Sequence, residues 1–304
     1  MDIGQPLPYL ARIRSYYLAL GYEHPYQWAH FDEVPFSHLE KPLSQVRIGL
    51  VTTAALFCEE CGDQGPGAAY NAAAKFYSVY ASPTKGNPNV YISHVGYDRK
   101  HTTAKDQNSW FPLIQLKLAA ASGRIGAVSR RFYGLPTNRS QTTTMERDAP
   151  NLLERLIEDD VNAAVLVANC PVCHQCCCLA ARHLEQNGIA TVVLGCAKDI
   201  VEHIGIPRFM FSDFPLGNAA GKPGDENSQH RTLDLALTLL DTATGPRTTL
   251  VSPIQWSESE DWKKDFYNIE RLSEQERQAL REKFDQDKAI AKKKKQTEGR
   301  VISR

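Results

Sequence analysis

The chain has 304 residues, and its 35 Lys plus Arg equal its 35 Asp plus Glu, so the formal net charge is near zero. That balance argues against a protein built to track nucleic acid or an anionic membrane by long-range charge. Apolar residues make up 42% and charged residues 23%, an ordinary globular mix, and the length suffices for one large domain or two small ones. The N-terminal stretch MDIGQPLPYLARIRSYYLALGY lacks the cationic, apolar and small-residue succession of a secretory signal, and no run of about 18 uncharged apolar residues occurs. A cytoplasmic protein without a membrane span is expected.

The first element is a helix, because Tyr9, Ile13, Tyr16, Tyr17 and Leu20 recur at helical spacing and Gly21 follows as a stop. With the aromatic, proline-rich stretch to Pro42 it forms an N-terminal helix and irregular wrap over residues 1–45. VRIGLVTT (46–53) reads as a buried parallel strand opening into a glycine-rich loop. NVYISHVGYD (89–98) holds another short strand, ending near His94 and Asp98. FPLIQLKLAAASG (111–123) reads as a helix closed by Gly123, and IGAVSRRFYG is too short to assign.

The second half has a cleaner pattern. APNLLERLIEDD is an amphipathic helix with Leu152, Leu153, Leu156 and Ile157 on one face. AAVLVAN (163–169) is a buried strand, CPVCHQCCCLAARHLEQNG turns into a helix ending at Gly188, and IATVVLG (189–195) is the next strand. RFMFSDF (208–214) reads as a third, followed by a Gly/Pro-rich loop and a helix over 227–241. This alternation predicts an α/β fold in three layers, a mostly parallel sheet flanked by helices, with two similar lobes around the site as one variant. The α/β body is expected over 46–256. Residues 257–304 form a charged, helical tail that packs through Leu272, Leu280 and Phe284 and carries a solvated lysine run at 292–295.

Five of the eight cysteines lie within nine residues, at Cys170, Cys173, Cys176, Cys177 and Cys178. With a large core and no export signal, thiol chemistry or metal binding is a better reading than a disulfide scaffold. Cys170 sits between the end of a buried strand and the start of a helix. Ligands bind at that edge of a parallel sheet, and the helix amides and dipole stabilise a thiolate there. Cys173 follows one turn later and can resolve a Cys170 adduct as an internal disulfide. The rival reading is a zinc or iron–sulfur site built from Cys58, Cys61, Cys170, Cys173 and Cys176, if the two cysteine clusters converge at one sheet edge. Cys177, Cys178 and Cys196 read as small core residues.

Cys170-Pro-Val-Cys173-His-Gln-Cys176 resembles the selenocysteine-x-x-Cys-x-x-Cys motif of the selenoprotein B subunits of glycine, sarcosine and betaine reductases and related D-proline reductase subunits. The resemblance extends in order through VRIGLVTTAALF, SHVGYDRKHTTAKDQNSWFPLIQLKLAAASGRIGAVSRRFYG and RFMFSDFPLGNAAGKPGD, roughly residues 40–240. YQWAHFDEVPF and the charged tail are similar to short, selenium-free bacterial relatives. The resemblance implies reductive C–N cleavage, with Cys170 in the nucleophile position and Cys173 as its neighbouring thiol. In the amine reductases a pyruvoyl group on a partner subunit activates the amine, and no residue here supplies one. With cysteine in place of selenocysteine, the chemistry also suits a desulfhydrase: attack on a thioxo carbon, loss of hydrosulfide and hydrolysis of the adduct, with no cofactor. A thiol-dependent reductase and a metal-stabilised binding protein are the alternatives.

Supporting groups are assigned more weakly. His94 and Asp98, four residues apart, form a candidate proton-donating pair. Thr52 and Thr53 end a strand at the ligand edge and could bind substrate, or simply cap a turn. Cys58 is a second candidate contact. Gly217 and Asn218 precede a helix and could hold a carboxylate, although a plain turn is the better reading of them. The expected partner is a small, carboxylate-bearing substrate, without nucleic acid or membrane; self-association is left open.

Overall fold

A computed structural model describes residues 4–301. The chain runs α1 (Tyr9–Ala19), β1 (Arg47–Thr52), β2 (Ala55–Leu56), β3 (Tyr80–Pro83), β4 (Val90–Tyr91), α2 (Leu113–Ala121), β5 (Ala127–Val128) and β6 (Arg131–Gly134). A short α3 (Gln141–Thr143) passes through a π-helical turn into α4 (Ala149–Glu158). Then come β7 (Ala163–Val167), α5 (Pro171–Gln186), β8 (Ala190–Gly195), α6 (Lys198–Ile204), β9 (Arg208–Phe211), α7 (Glu226–Thr242), β10 (Thr248–Val251) and α8 (Glu274–Val301).

The main sheet has the order β10-β9-β8-β7-β1-β6-β3, with β5 pairing the start of β1 beside β6. Every pairing in it is parallel except β3 with β6. One continuous sheet therefore carries both halves of the chain, in place of two similar lobes. The central strands β7 and β8 are buried at every residue. A strand buried on both faces must be covered on both. One cover is α4, α5 and α6, packed side by side; the other is α7, lying on β8, β9 and β10 and touching α2. The β-branched runs AAVLV and ATVVLG suit this setting, because strands sandwiched between helices have no wet face to alternate towards.

From β7 the strands step outward through β8, β9 and β10. On the other side of β1 lie β6 and β3. The chain thus reverses its direction of travel between β1 and β7, and the carboxyl ends of those two strands frame the crevice where open α/β sheets bind ligands. Thr53, just past β1, spans the crevice by donating its hydroxyl to the Val167 carbonyl (3.4 Å).

Two sequence expectations change. The strand read over 89–98 shrinks to Val90–Tyr91, which pairs antiparallel with β2 outside the main sheet. The unassigned IGAVSRRFYG supplies β5 and β6. The N-terminal wrap is pinned by polar residues of α5. Gln175 accepts from Ala29 N (2.9 Å), Arg182 donates to the Glu33 carbonyl (2.8 Å), and Glu185 accepts from Ser37 N (2.5 Å). Glu185 also forms a buried ion pair with Arg208 (2.9 Å). No described helix is long and apolar enough to cross a membrane.

Candidate functional site

Cys170 is the N-cap of α5. Its backbone is extended, Pro171 begins the helix, and its sulfur accepts a hydrogen bond from Cys173 N at 3.1 Å. Proline suits the first helical position because it has no N–H to leave unpaired there. The sulfur therefore sits on the positive end of a 16-residue helix. Cys170 and Cys173 form a disulfide with Cα atoms 4.9 Å apart.

A residue that the motif reading passed over, His174, holds this turn in place. Its Nε2 accepts from Cys196 N (2.9 Å) and Ala197 N (3.1 Å), which leaves Nδ1 to donate to the Cys170 carbonyl (2.7 Å). Two amide donors on Nε2 fix the neutral tautomer. Burial pushes the pKa of His174 down to about 4, with the Cys170 backbone opposing. The imidazole ties the start of α5 to the β8–α6 turn, which makes it a positioning residue.

A second histidine comes from the opposite wall. His94, in the loop after β4, brings a ring nitrogen within 4.8 Å of the sulfurs of Cys170 and Cys173. Its Nε2 is buried and has no hydrogen-bond partner among the described residues. Burial pushes the His94 pKa down to about 3; the Lys75 cation adds to this, while a backbone hydrogen bond with Thr53 opposes it. Gly96 lets this loop approach α5, since a Cβ there would stand 2.5 Å from Pro171 Cδ and 3.6 Å from Cys170 Cβ.

Cys170 and His94 open onto a cleft of about 390 Å³. Its other walls come from parts of the chain that look unrelated in sequence. Tyr26 and Trp28 belong to the N-terminal wrap, while Phe284, Asp287 and Lys288 belong to α8. The helix read as a tail therefore closes one side of the cleft. It docks through Arg281, which donates to the Leu20 carbonyl (2.8 Å), and through Phe284 against Tyr17 (ring centroids 5.6 Å apart). Lys75 and Arg139 also line the cleft. Burial pulls the Lys75 pKa down to about 8. Cationic groups in a partly apolar cleft suit an anionic ligand.

Other sequence candidates lie elsewhere. Asp98 does not pair with His94: its carboxylate accepts from Lys100 N and His101 N (both 3.1 Å) and from His101 Nδ1 (2.9 Å). Thr52 caps the following turn by accepting from Ala54 N (3.1 Å), and Thr53 bridges to β7; neither lines the cleft. Gly217 and Asn218 face Cys196, whose thiol their backbones contact, while Asn218 donates its amide to the Pro215 carbonyl (2.9 Å). Cys58 and Cys61 form their own disulfide in the loop after β2 and do not join Cys170 and Cys173. Cys176 is also separate, donating its thiol to the Asn138 carbonyl (3.4 Å). The convergent five-cysteine metal site is thus not formed. Cys177, Cys178 and Cys196 are buried in the core.

Fold and site together define a parallel-sheet α/β protein with a Cys-x-x-Cys pair at the start of a helix, on the switch-point crevice. The family model for glycine/sarcosine/betaine reductase selenoprotein B matches residues 19–169. The chain is similar to that family over this segment, and the match ends one residue before Cys170. It is 28% identical over 191 residues to D-proline reductase subunit gamma of Acetoanaerobium sticklandii, covering 62% of this chain and 76% of that protein. It is 25% identical over 240 residues to sarcosine reductase complex component B subunit beta of Peptoclostridium acidaminophilum. Identity is 23% over 231 residues to glycine reductase complex component B subunit gamma of the same organism. Those two matches each cover 75% of this chain but 52% of the relative, so the chain spans about half the length of those subunits. No solved structure matches.

Proposed function

We propose that this chain is a thiol-dependent reductase that cleaves a carbon–heteroatom bond of a small anionic molecule bound over Cys170. The observation that carries the reading is the Cys170–Cys173 pair at the N-terminus of α5, with Cys170 lining an open cleft beside the unpartnered Nε2 of His94. Its relatives are named as reductase subunits and components.

In this reading the Cys170 thiol passes its proton to His94 Nε2 as an ion pair, the thiolate formed beside the imidazole raising the basicity that burial alone holds low. The thiolate attacks the substrate carbon, a C–S bond forms, and the C–N or C–S bond to the leaving group breaks with the electron pair going to the heteroatom. Cys173 then attacks the Cys170 sulfur. The electrons of the new C–S bond return to carbon, which takes up a proton, and the Cys170–Cys173 disulfide forms. The sum is dithiol plus R–X giving disulfide, R–H and H–X, where X is the amine or thiol leaving group. The carbon must be one that can carry negative charge briefly, such as one next to a carbonyl or carboxylate. Lys75 and Arg139 hold the anionic end. A thiol reductant, or a partner protein bearing a dithiol, restores the pair.

A second reading is favoured by the same unpartnered His94 nitrogen, which could equally activate water. Cys170 would attack a thioxo carbon and hydrosulfide would leave. Water would then release the adduct, so that C=S becomes C=O with no electrons consumed. The two readings separate in one experiment. The pure protein is screened against small amines and thioxo compounds with a thiol reductant present, while ammonia, amine and hydrosulfide are followed. Cys170→Ala abolishes release in both readings. Cys173→Ser stops turnover in the reductive reading and leaves it running in the hydrolytic one. Normal turnover by folded Cys170→Ala would sink both.

A further inference from the structure

The unpartnered His94 nitrogen has a use beyond proton transfer. Its ring, the Cys170 sulfur and the Cys173 sulfur each place one potential ligand atom within 4.8 Å of the others. The two thiols come from the N-cap and the first turn of α5, and the imidazole comes from the facing loop. All three residues are buried. Buried polar atoms in folded proteins are nearly always satisfied, so an enclosed imidazole nitrogen without a donor points to a ligand. A neutral imidazole nitrogen this close to two sulfurs is the form that coordinates metal.

The spacing fits. A tetrahedral zinc ion with sulfur at about 2.3 Å and nitrogen at about 2.0–2.1 Å holds those atoms about 3.5–3.8 Å apart. Once the disulfide is reduced, the Cα separation of 4.9 Å lets the two sulfurs part by side-chain rotation. Cys-x-x-Cys is also a standard half-site spacing for zinc. Because Cys170 and His94 both line the cleft, the fourth position faces ligand space.

We propose that the dithiol form of this chain binds one thiophilic divalent cation, zinc in class, through Cys170, Cys173 and His94, with its fourth position open to the cleft. This ligand set differs from any drawn from the cysteines alone, since its third member is an imidazole 76 positions upstream of Cys170. The inference shares two thiols with the function proposed above. Occupancy ties up both thiolates and halts their turnover, so the metal is an inhibitor of the dithiol and the disulfide releases it.

The test is metal binding by the reduced full chain, read without any substrate. Zinc is titrated against a chromophoric indicator, and X-ray absorption is recorded on the zinc-loaded protein. We expect one zinc per chain, a shell with two sulfurs and one imidazole, unchanged binding in Cys58→Ser/Cys61→Ser, and loss of binding in Cys170→Ser/Cys173→Ser. His94→Asn should weaken binding at least tenfold. Absence of binding, a shell without imidazole, or binding that follows Cys58 and Cys61 overturns the proposal. If His94→Asn fails to fold, the ligand shell of the unaltered protein decides. Turnover measured with a chelator present is unaffected by failure here, so the two claims fall separately.

Discussion

Replacing Gly96 with Ala perturbs the site without touching any reactive atom. The added Cβ would stand 2.5 Å from Pro171 Cδ and 3.3 Å from Pro171 Cγ, against an ordinary contact of 3.4–4 Å. About 1 Å must therefore open between the loop and α5. The proline ring cannot swing aside, because its φ is locked at the first position of the helix. The helix start is held by the three hydrogen bonds of His174. The loop must retreat instead and take His94 with it. Forced overpacking of this kind costs about 1–3 kcal/mol. A displacement near 1 Å at a reacting group costs up to about 100-fold in rate. Urea unfolding should show the stability loss. The rate at which reduced Cys170 exchanges with oxidised glutathione, followed by intact mass, should fall by roughly ten- to a hundredfold. Gly245→Ala, where the added Cβ meets nothing within 4 Å, is the control. If folded Gly96→Ala exchanges at the unaltered rate, His94 does not assist Cys170 and the proton-transfer argument is wrong.

Lys75→Met should raise KM for an anionic substrate roughly ten- to a hundredfold with little change in kcat, as expected for loss of a charged contact worth about 1.5–3 kcal/mol. Because the Lys75 pKa lies at about 8, anionic ligand binding measured by calorimetry should weaken as pH rises through that value and the cation is lost. Asp159 receives Arg131 Nε (2.7 Å), Tyr133 OH (2.5 Å) and Arg130 Nε (2.6 Å). Burial alone would raise its pKa, but these bonds outweigh it and bring it down to about 2. A depressed carboxylate stabilises above its unfolded value and loses that contribution as pH falls. Acid unfolding should thus show a loss of about 2 kcal/mol between roughly pH 4 and 2 that is absent in Asp159→Asn. Gly217→Ala drives a Cβ into the Tyr97 ring at a φ of +112°, so it should cost about 3 kcal/mol or more in stability. A near-neutral result in thermal unfolding would show that this loop has room to yield.

What the sequence disclosed follows from how local each signal is. β1, β7 and β8 are short, mostly apolar runs carrying Ile, Val and Thr, and α5 carries a proline start and a glycine stop, so their types and order are legible. β3 and β10 are four-residue edge strands with half-exposed side chains, and β3 contains Pro83; neither carries a period. The placement of Cys170 at the carboxyl edge was legible because it needs only a strand followed by a helix. The His94 contact was not, since it depends on a loop folding across 76 positions of chain. The pairing of His94 with Asp98 failed because spacing alone does not show that His101 lies nearer the carboxylate. Lys75, Arg139 and α8 reach the cleft only through tertiary packing. The sequence hint for this segment was its apolar Leu272, just before α8, with Leu280 and Phe284 inside it, of which Phe284 lines the cleft.

The pH profile of cysteine alkylation tests the central claim most directly. Reduced protein is treated with iodoacetamide across the pH range, and each site is quantified by peptide mass mapping. Cys170 should react at neutral pH, with its rate levelling off below the pH at which free cysteine ionises, while Cys176, Cys177, Cys178 and Cys196 stay unmodified in the folded chain. A folded protein in which Cys170 resists the reagent as firmly as those four would contradict the account.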